Sequence, residues 1–196
     1  MMKLTAQQVE EVLAFWFDAS DDAALSRPRE AWFRRDDAFD AEIRRRFLPL
    51  WQALADGELA IDVGDARAAL AWLIVADQFP RNLFRGDARA FASDKKAREG
   101  ARLAVGQGLE QTLPPVARVF FYLPFEHSED MADQRRSLEL FSALDAALPG
   151  SNYLDFARRH ERVVAEFGRF PHRNAALGRA STPAEQSYLA QPGAGF

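Results

Sequence analysis

Residues 70–86 read LAWLIVADQFPRNLFRG and join the most hydrophobic run of the chain to a dense polar segment. The run Leu70–Ala76 is apolar on every side, which is typical of a helix enclosed by other helices. A buried strand is the rival interpretation. Alanine is frequent in the run, however, Asp65 precedes it as a helix cap, and no neighbouring segment alternates with period two. We therefore predict a buried helix.

The polar segment begins where this helix is predicted to end. Pro80 disfavours helical geometry at the preceding Phe79 and so places Asp77 and Gln78 in the last helical turn. A charged side chain in such an enclosed position needs bonding partners. Asp77 is therefore expected to be paired.

Part of the polar segment is repeated later in the chain. FPRN at 79–82 returns as FPHRN at 170–174, and a third polar cluster, EHSED, lies between them at 126–130. The two motifs are about ninety residues apart, which does not fit a tetratricopeptide period of roughly 34, and the consensus of that repeat is absent. We interpret the three segments as parts of one site, with Arg81, His127 and Arg173 around a shared cavity.

Composition favours one globular domain. The chain has 196 residues, of which 48% are hydrophobic and 12% aromatic, enough for a full core. We predict a single all-α domain over residues 1–196 with a frayed tail at 191–196. A net charge of -4 argues against a nucleic-acid partner, because phosphate binding needs a concentrated basic surface.

Cysteine usage and the first residues bear on the cellular compartment. The sequence has no cysteine, which excludes disulfides and thiolate chemistry and suits a reducing environment. Glu10 and Glu11 lie where a signal peptide would be apolar, and no long uncharged apolar span follows. We expect a soluble cytoplasmic protein with no membrane partner. The oligomeric state stays open.

The remaining pattern is one of helices with short connectors. The predicted helix starts share capping residues: Thr5 with Gln8, Asp36 or Asp37, Asp65, Ser128, Asn152, and Thr182 with Glu185. Pro49 lies inside the second helix and is expected to kink or break it, since proline lacks an N–H and clashes with the preceding turn. Pro124 is expected to close a later helix.

Six motifs together resemble one family. They are AFWF (14–17), WFRRDDAFD (32–40), DQFPRNLFRG (77–86), AFASD (90–94), FYLPFEHSEDMADQ (121–134) and FGRFPHRNAALGRASTPAE (167–185). Over nearly the whole chain they resemble the bacterial DUF924 family. The resemblance implies an all-α fold built as a tetratricopeptide-like array of antiparallel helix pairs, and no established activity. Ala76 departs from the family, where a leucine is expected before DQF.

Hydrogen-bond donors cluster in the repeated motifs. The candidate ligand-binding residues are Arg81, Asn82, Arg85, Arg169, Arg173 and Asn174. Guanidinium groups converging on one cleft would bind a carboxylate or phosphate through paired hydrogen bonds. The candidate supporting acids are Asp77, Glu126, Glu129 and Asp130. These acids are numerous enough to neutralise the arginines, so a structural ion-pair network is an equally good interpretation.

Two histidines are candidate acid-base groups. His127 lies between Glu126 and Ser128 before a predicted helix, an environment that could raise its pKa and suit it to proton transfer. His172, inside the second motif, could be its counterpart. For either histidine, a structural role fits the sequence as well as a catalytic role does. His160 lies in an apolar stripe and is interpreted as a packed core residue.

Other chemistries lack motif support. The 126–130 cluster has no pair of histidines one helical turn apart, so we predict no metal site. GxGxxG, Walker and GxSxG motifs are absent, so we predict no cofactor. The leading hypothesis is a polar pocket for a small anionic ligand, with histidine acid-base chemistry as an option. The alternative is a scaffold that binds a peptide or protein segment in a helical groove. Whether the chain is an enzyme stays open.

Overall fold

The computed structural model describes residues 1–195, and this part of the chain is built from helices. The α-helices are α1 (Ala6–Phe17), α2 (Asp22–Leu25), α3 (Asp37–Ala55), α4 (Ala66–Leu73), α5 (Phe79–Leu83), α6 (Asp94–Gly106), α7 (Pro115–Glu126), α8 (Met131–Asp145), α9 (Tyr153–Phe167) and α10 (Pro183–Leu189). One π-helical turn, Ile74–Gln78, joins α4 to α5. Short 3₁₀ turns cover Glu30–Trp32, Ala88–Phe91, Leu109–Thr112 and Pro171–Arg173. The all-α prediction is confirmed.

Extended structure in the described residues is limited to an isolated parallel bridge between Met2 and Leu59. Across residues 1–195 no helix is both long enough and apolar enough to cross a membrane. The tetratricopeptide-like arrangement of helix pairs stays a prediction.

Most predicted helix starts are correct. Side chains cap the backbone at Thr5 with Gln8, Thr182 with Glu185, Asp36, and Asp65. Asn152 occupies the predicted position before α9 but makes no side-chain cap bond. The prediction for Ser128 is wrong, because Asp130 caps α8 by accepting from the Ala132 N–H at 2.7 Å.

Prolines interrupt the helices less than predicted. α3 runs without a break from Asp37 to Ala55 with Pro49 inside it. α7 continues past Pro124 to Glu126, so the prediction that Pro124 closes a helix is wrong. Both prolines lie within longer helices whose neighbouring turns continue the backbone path.

Pro80 also fails to end its helix. Phe79 has helical angles, φ -56° and ψ -41°, and its N–H bonds to the Ile74 carbonyl five residues earlier. The resulting π-turn changes the bonding register just before the proline. Proline cannot supply the N–H that the Ala76 carbonyl would accept in an α-helix, and the Ser93 hydroxyl donates to that carbonyl instead, at 2.6 Å.

The described chain divides into two compact units. The first comprises Met1–Arg85 and Arg89–Pro124, and the second comprises Gly86–Ala88 and the described part of Phe125–Phe196. The single-domain organisation stays a prediction. Phe196, the last residue of the predicted frayed tail, lies outside the described residues.

The core of the first unit surrounds the hydrophobic run. Every side chain of Leu70–Ala76 is at most 4% exposed, which confirms the prediction of an enclosed helix. Phe79 then packs against Phe47 and Trp16, with ring centroids 4.8 and 5.7 Å apart respectively. Burial of such aromatic rings supplies much of the driving force for folding.

The second unit is built on the pair α8 and α9. One of its buried clusters consists of Val163, Val164 and Phe170, against which Met131 and Tyr188 pack as partly buried residues. Gly168 ends α9 with φ 70°, a left-handed conformation that glycine adopts without strain. The chain can therefore turn at once and bury Phe170 against the helix it has just left.

Candidate functional site

The first polar motif lies in the first unit. The π-turn places Asp77 and Gln78 inside the unit, 1% and 6% exposed, and Gln78 Nε2 donates to Asp77 Oδ2 at 2.6 Å. Arg81 donates from Nη1 to the Asp77 carbonyl at 2.6 Å, while its Nη2 lies 3.5 Å from Asp77 Oδ1. The buried acid therefore has the bonding partners that the sequence required.

Arg81 has a second acid partner that sequence reasoning missed. Asp94 accepts from Nη1 and Nη2 of Arg81 at 3.0 and 3.3 Å. Burial lowers the pKa of Arg81, but the charges of Asp77 and Asp94 outweigh it and raise that pKa. The guanidinium is thus held as a cation between two carboxylates.

Asp40 organises the rest of the first motif. Its Oδ1 accepts from Asn82 Nδ2 at 2.7 Å and from Arg85 Nη2 at 2.9 Å. Sequence reasoning missed Asp40 as it missed Asp94. Both lie in quoted family motifs, WFRRDDAFD and AFASD, and that was the available signal. A ligand bound at this motif would have to compete with these carboxylates.

The third polar segment, 126–130, is fastened by side chains at the end of α7. Gln134 Nε2 donates to the carbonyls of Glu126 and Ser128, at 2.6 Å in each case. Arg173 Nη2 donates to the carbonyl of His127, which lies between them, at 2.9 Å. These three carbonyls belong to the last residue of α7 and to the two residues that follow it, where the helix no longer supplies N–H partners. Their side-chain donors fix the backbone from which His127 projects.

The three histidines of the chain form one connected set of ring contacts in the second unit. His127 and His160 have ring centroids 6.2 Å apart, and the rings of His160 and His172 each lie 5.5 Å from the ring of Phe170. The guanidinium carbon of Arg173 lies 4.7 Å from the same Phe170 ring. We call these five residues the histidine cluster. His127 and His172 are half-buried, whereas His160 and Arg173 are each 7% exposed.

His160 is buried, as predicted for a core residue, but it also belongs to this cluster. Its Nδ1 lies 2.9 Å from the Phe156 carbonyl and 3.1 Å from Glu126 Oε1. Burial, with added repulsion from His127, His172 and Arg173, lowers the pKa of His160 to about 3, although the hydrogen bond to the Phe156 carbonyl acts in the opposite direction. The neutral ring then has one N–H. A carbonyl can only accept, so that N–H is on Nδ1 and the lone pair is on Nε2.

Glu129 joins the second and third segments. It accepts from the Phe170 N–H at 2.8 Å and forms paired hydrogen bonds with Arg179 at 2.7 and 2.9 Å. Burial opposes ionisation, but the bonds from Arg179 and the Phe170 N–H lower the pKa of Glu129. Arg179 also donates to Asn174 Oδ1 at 2.9 Å, so this candidate ligand-binding amide is part of the same network.

Arg169 is engaged by Glu185. Its Nε and Nη2 donate to the two carboxylate oxygens at 2.6 and 2.9 Å, and the Thr182 N–H donates to Glu185 Oε2 at 2.7 Å. The bond from Arg169 is the main cause that lowers the pKa of Glu185 to about 2. Asp130, a candidate supporting acid, is exposed and caps α8. These pairs have the geometry of a structural network.

The structure therefore brings together some, but not all, of the site residues predicted from the sequence. The second and third segments come together in the second unit through His127, Arg173 and Glu129. Arg81, Asn82 and Arg85 belong to the first unit, and the single site that would include Arg81 stays a prediction. Within residues 1–195 no group of three or more His, Asp or Glu side chains is arranged to hold a metal ion.

Comparison with known proteins decides the family. A model described as "Bacterial protein of unknown function (DUF924)" matches residues 12–193, nearly the whole chain. The chain belongs to the DUF924 family. A solved structure of a protein of unknown function, ATU0120 from Agrobacterium tumefaciens, is 40% identical to this DUF924 chain. That match covers 95% of this chain and 99% of the other with a TM-score of 0.82. No curated protein matches significantly. The recognition from sequence motifs is confirmed.

Proposed function

We propose that the second unit binds a small anionic ligand at the histidine cluster. The observation that carries this proposal is the gathering of all three histidines and a buried arginine into one connected set of contacts, although they come from three separate segments. Convergent polar groups beside an apolar surface are typical of ligand sites.

Arg173 is the proposed anion-binding group. Its guanidinium stacks on Phe170 and is anchored to the His127 carbonyl, so its orientation is set before a ligand arrives. A planar guanidinium in a fixed orientation favours paired hydrogen bonds with a carboxylate or phosphate. Preorganisation of this kind reduces the entropy lost on binding.

The histidines are the proposed proton-transfer groups. His127 and His172 are half-buried members of the cluster, while the neutral His160 offers an acceptor at Nε2. An imidazole beside a bound ligand can exchange a proton with a hydroxyl or acid group of that ligand. Binding is the primary proposal, and acid-base chemistry at His127 or His172 extends it.

Thermal unfolding of the purified protein against a panel of small carboxylates and phosphates tests the binding proposal. A ligand selective for the native state stabilises it by about 2.7 kcal/mol at one hundred times its Kd. The stabilisation should be lost in Arg173→Lys, which keeps the charge but not the planar pair of donors, and kept in the control Arg158→Lys. The control arginine is exposed and pairs with Asp155 at 3.1 Å. An equal ligand-induced stabilisation of both variants would refute Arg173 as the anion-binding group.

One observation favours the alternative of a bound peptide. A groove of about 530 Å³ in the second unit is lined by α9, α10 and the residues after α10, with Phe167 and Tyr188 in its wall. Their rings are 5.2 Å apart and offer an apolar surface to a side chain of a partner. Tyr188→Ala should weaken a peptide bound there and leave anion binding at Arg173 unchanged, which separates the two functions.

A further inference from the structure

The residues after α10 form a hydrogen-bonded turn. In this C-terminal turn, residues 191–195, the Gln191 N–H donates to the Tyr188 carbonyl at 3.0 Å and the Ala194 N–H donates to the Gln191 carbonyl at 3.2 Å. Arg159 Nη2 on α9 donates to the Gly193 carbonyl at 3.3 Å. The turn is therefore fastened to α9 by a side chain.

The backbone of the turn lies against a histidine of the cluster. Gly195 has φ 95°, and a Cβ built on it would lie 3.1 Å from His172 Cβ and 3.5 Å from His172 Cγ. A Cβ at this position would crowd His172 and would strain the left-handed backbone, which glycine adopts freely. The imidazole of His172 is thus bordered by Phe170 on one side and by the turn on another.

We propose that the C-terminal turn is a cover for His172 that controls access to the histidine cluster. Residues 191–195 are exposed or half-buried, and none of them belongs to the buried cluster of Val163, Val164 and Phe170. Segments with few buried apolar contacts open at low cost, without unfolding the structure beneath. Opening of the turn would therefore expose His172 while Phe170 and His160 stay packed.

The consequence for ligand entry rests on the proposed function, but the covering of His172 does not. Diethyl pyrocarbonate acylates accessible imidazole nitrogens, and peptide mass spectrometry reports the rate at each histidine. We expect His172 to react several-fold faster in a chain ending at Ala190 and in Arg159→Ala than in the full chain. His160 should stay slow in all three, which shows that the unit is folded. Arg158→Ala is the matched control on α9 and should react like the full chain.

A second variant keeps the full chain length. Gly195→Ala adds the Cβ that would meet His172 and strains the left-handed backbone, so it should displace the turn and also accelerate the reaction at His172. Gly150→Ala carries the same kind of backbone strain at φ 83° but has nothing within 4 Å of the added Cβ. This control variant should therefore leave the reaction rate at His172 unchanged. Unchanged His172 reactivity in both Gly195→Ala and the shortened chain would overturn the cover and leave the anion-binding proposal standing. Faster reaction at His172, with no anion raising the thermal stability of the protein, would support the cover and overturn the anion-binding proposal.

Discussion

Arg173 Nη2 donates a hydrogen bond of 2.9 Å to the carbonyl oxygen of His127, a residue 46 positions earlier in the chain. This bond joins the repeated FPHRN motif to the polar EHSED segment. Gln134 holds the carbonyls on either side of His127. The backbone at His127 is thus positioned from two sides, which is the preorganisation that a binding or proton-transfer group requires.

Replacing Arg173 with lysine should therefore change both stability and the environment of His127. Lysine keeps the charge but loses the flat contact with Phe170 and the geometry of the bond to the His127 carbonyl. We expect a loss of about 1–3 kcal/mol in the free energy of unfolding, the cost of leaving a buried polar group unsatisfied. Urea denaturation measures the loss, and NMR should show a shift of the His127 ring signals. An unshifted His127 would mean that Arg173 does not position it.

The structure also shows where local sequence rules suffice and where they fail. The capping boxes at Thr5 and Thr182 and the enclosed run Leu70–Ala76 were predictable, because caps and hydrophobic pattern act within a few residues. The continuation of the helix through Pro80 was not predictable. The Ala76 carbonyl, which Pro80 leaves without an N–H partner, accepts from the hydroxyl of Ser93, a residue distant in sequence. Long-range compensation of this kind leaves no periodic pattern.

The site shows the same division. The motif residues Arg81 and Arg173 stood out as clustered donors, but their partners Asp94 and His127 are fixed by tertiary contacts. His160 fits an apolar stripe, and that pattern correctly indicated burial. Its proximity to His127 could not be read from spacing, because it depends on how α9 packs near the end of α7 in the second unit.

A second prediction concerns Ser93. Its hydroxyl donates to the Ala76 carbonyl and accepts from Trp51 Nε1 at 3.1 Å, all in the core of the first unit. Ser93→Ala leaves both groups unsatisfied and should cost about 1–3 kcal/mol in the free energy of unfolding.

Ser137 provides a matched control for Ser93. It is also 0% exposed, but its Oγ has no hydrogen-bond partner among residues 1–195. Ser137→Ala should be neutral or stabilising, because it removes a buried polar group that bonds nothing. Equal losses for Ser93→Ala and Ser137→Ala, measured by denaturant unfolding, would show that the Ser93 bonds do not stabilise the π-turn.

A third prediction tests the close approach of α6 to α4 in the first unit. A Cβ on Gly100 would lie 2.5 Å from Trp72 Cζ3, so Gly100→Ala overpacks the core and should cost about 1–3 kcal/mol. Gly106, in the same helix, has nothing within 4 Å of an added Cβ. Gly106→Ala should instead be neutral or stabilise the protein by up to about 1 kcal/mol, because alanine favours a helix. A Gly100→Ala protein that melts with or above the wild type would contradict the packing.

A fourth prediction follows from the pair Arg169 and Glu185. The pKa of Glu185 is lowered to about 2 in the folded protein, mainly by the bond from Arg169, against about 4.3 in an unfolded chain. Its stabilising contribution is therefore present above about pH 4.3 and is lost as the pH falls toward about 2. In Arg169→Met the Glu185 carboxyl should titrate at a higher pH, as followed by carbon NMR, while Arg158→Met leaves it unchanged. Identical titration in both variants would rule out Arg169 as the cause.

The last prediction uses the neutral state of His160. Its pKa is about 3 in the folded protein and about 6.5 in an unfolded chain. Between these values only the unfolded chain binds the proton, so the free energy of unfolding falls as the pH falls, by up to about 1.4 kcal/mol per pH unit. His160→Asn removes this titration, while the asparagine amide can still donate to the Phe156 carbonyl. Urea denaturation between about pH 7 and about pH 4 should then give a shallower pH dependence for the variant than for the wild type. Parallel profiles for the two proteins would show that folding does not lower the pKa of His160, and this result would refute the neutral buried ring.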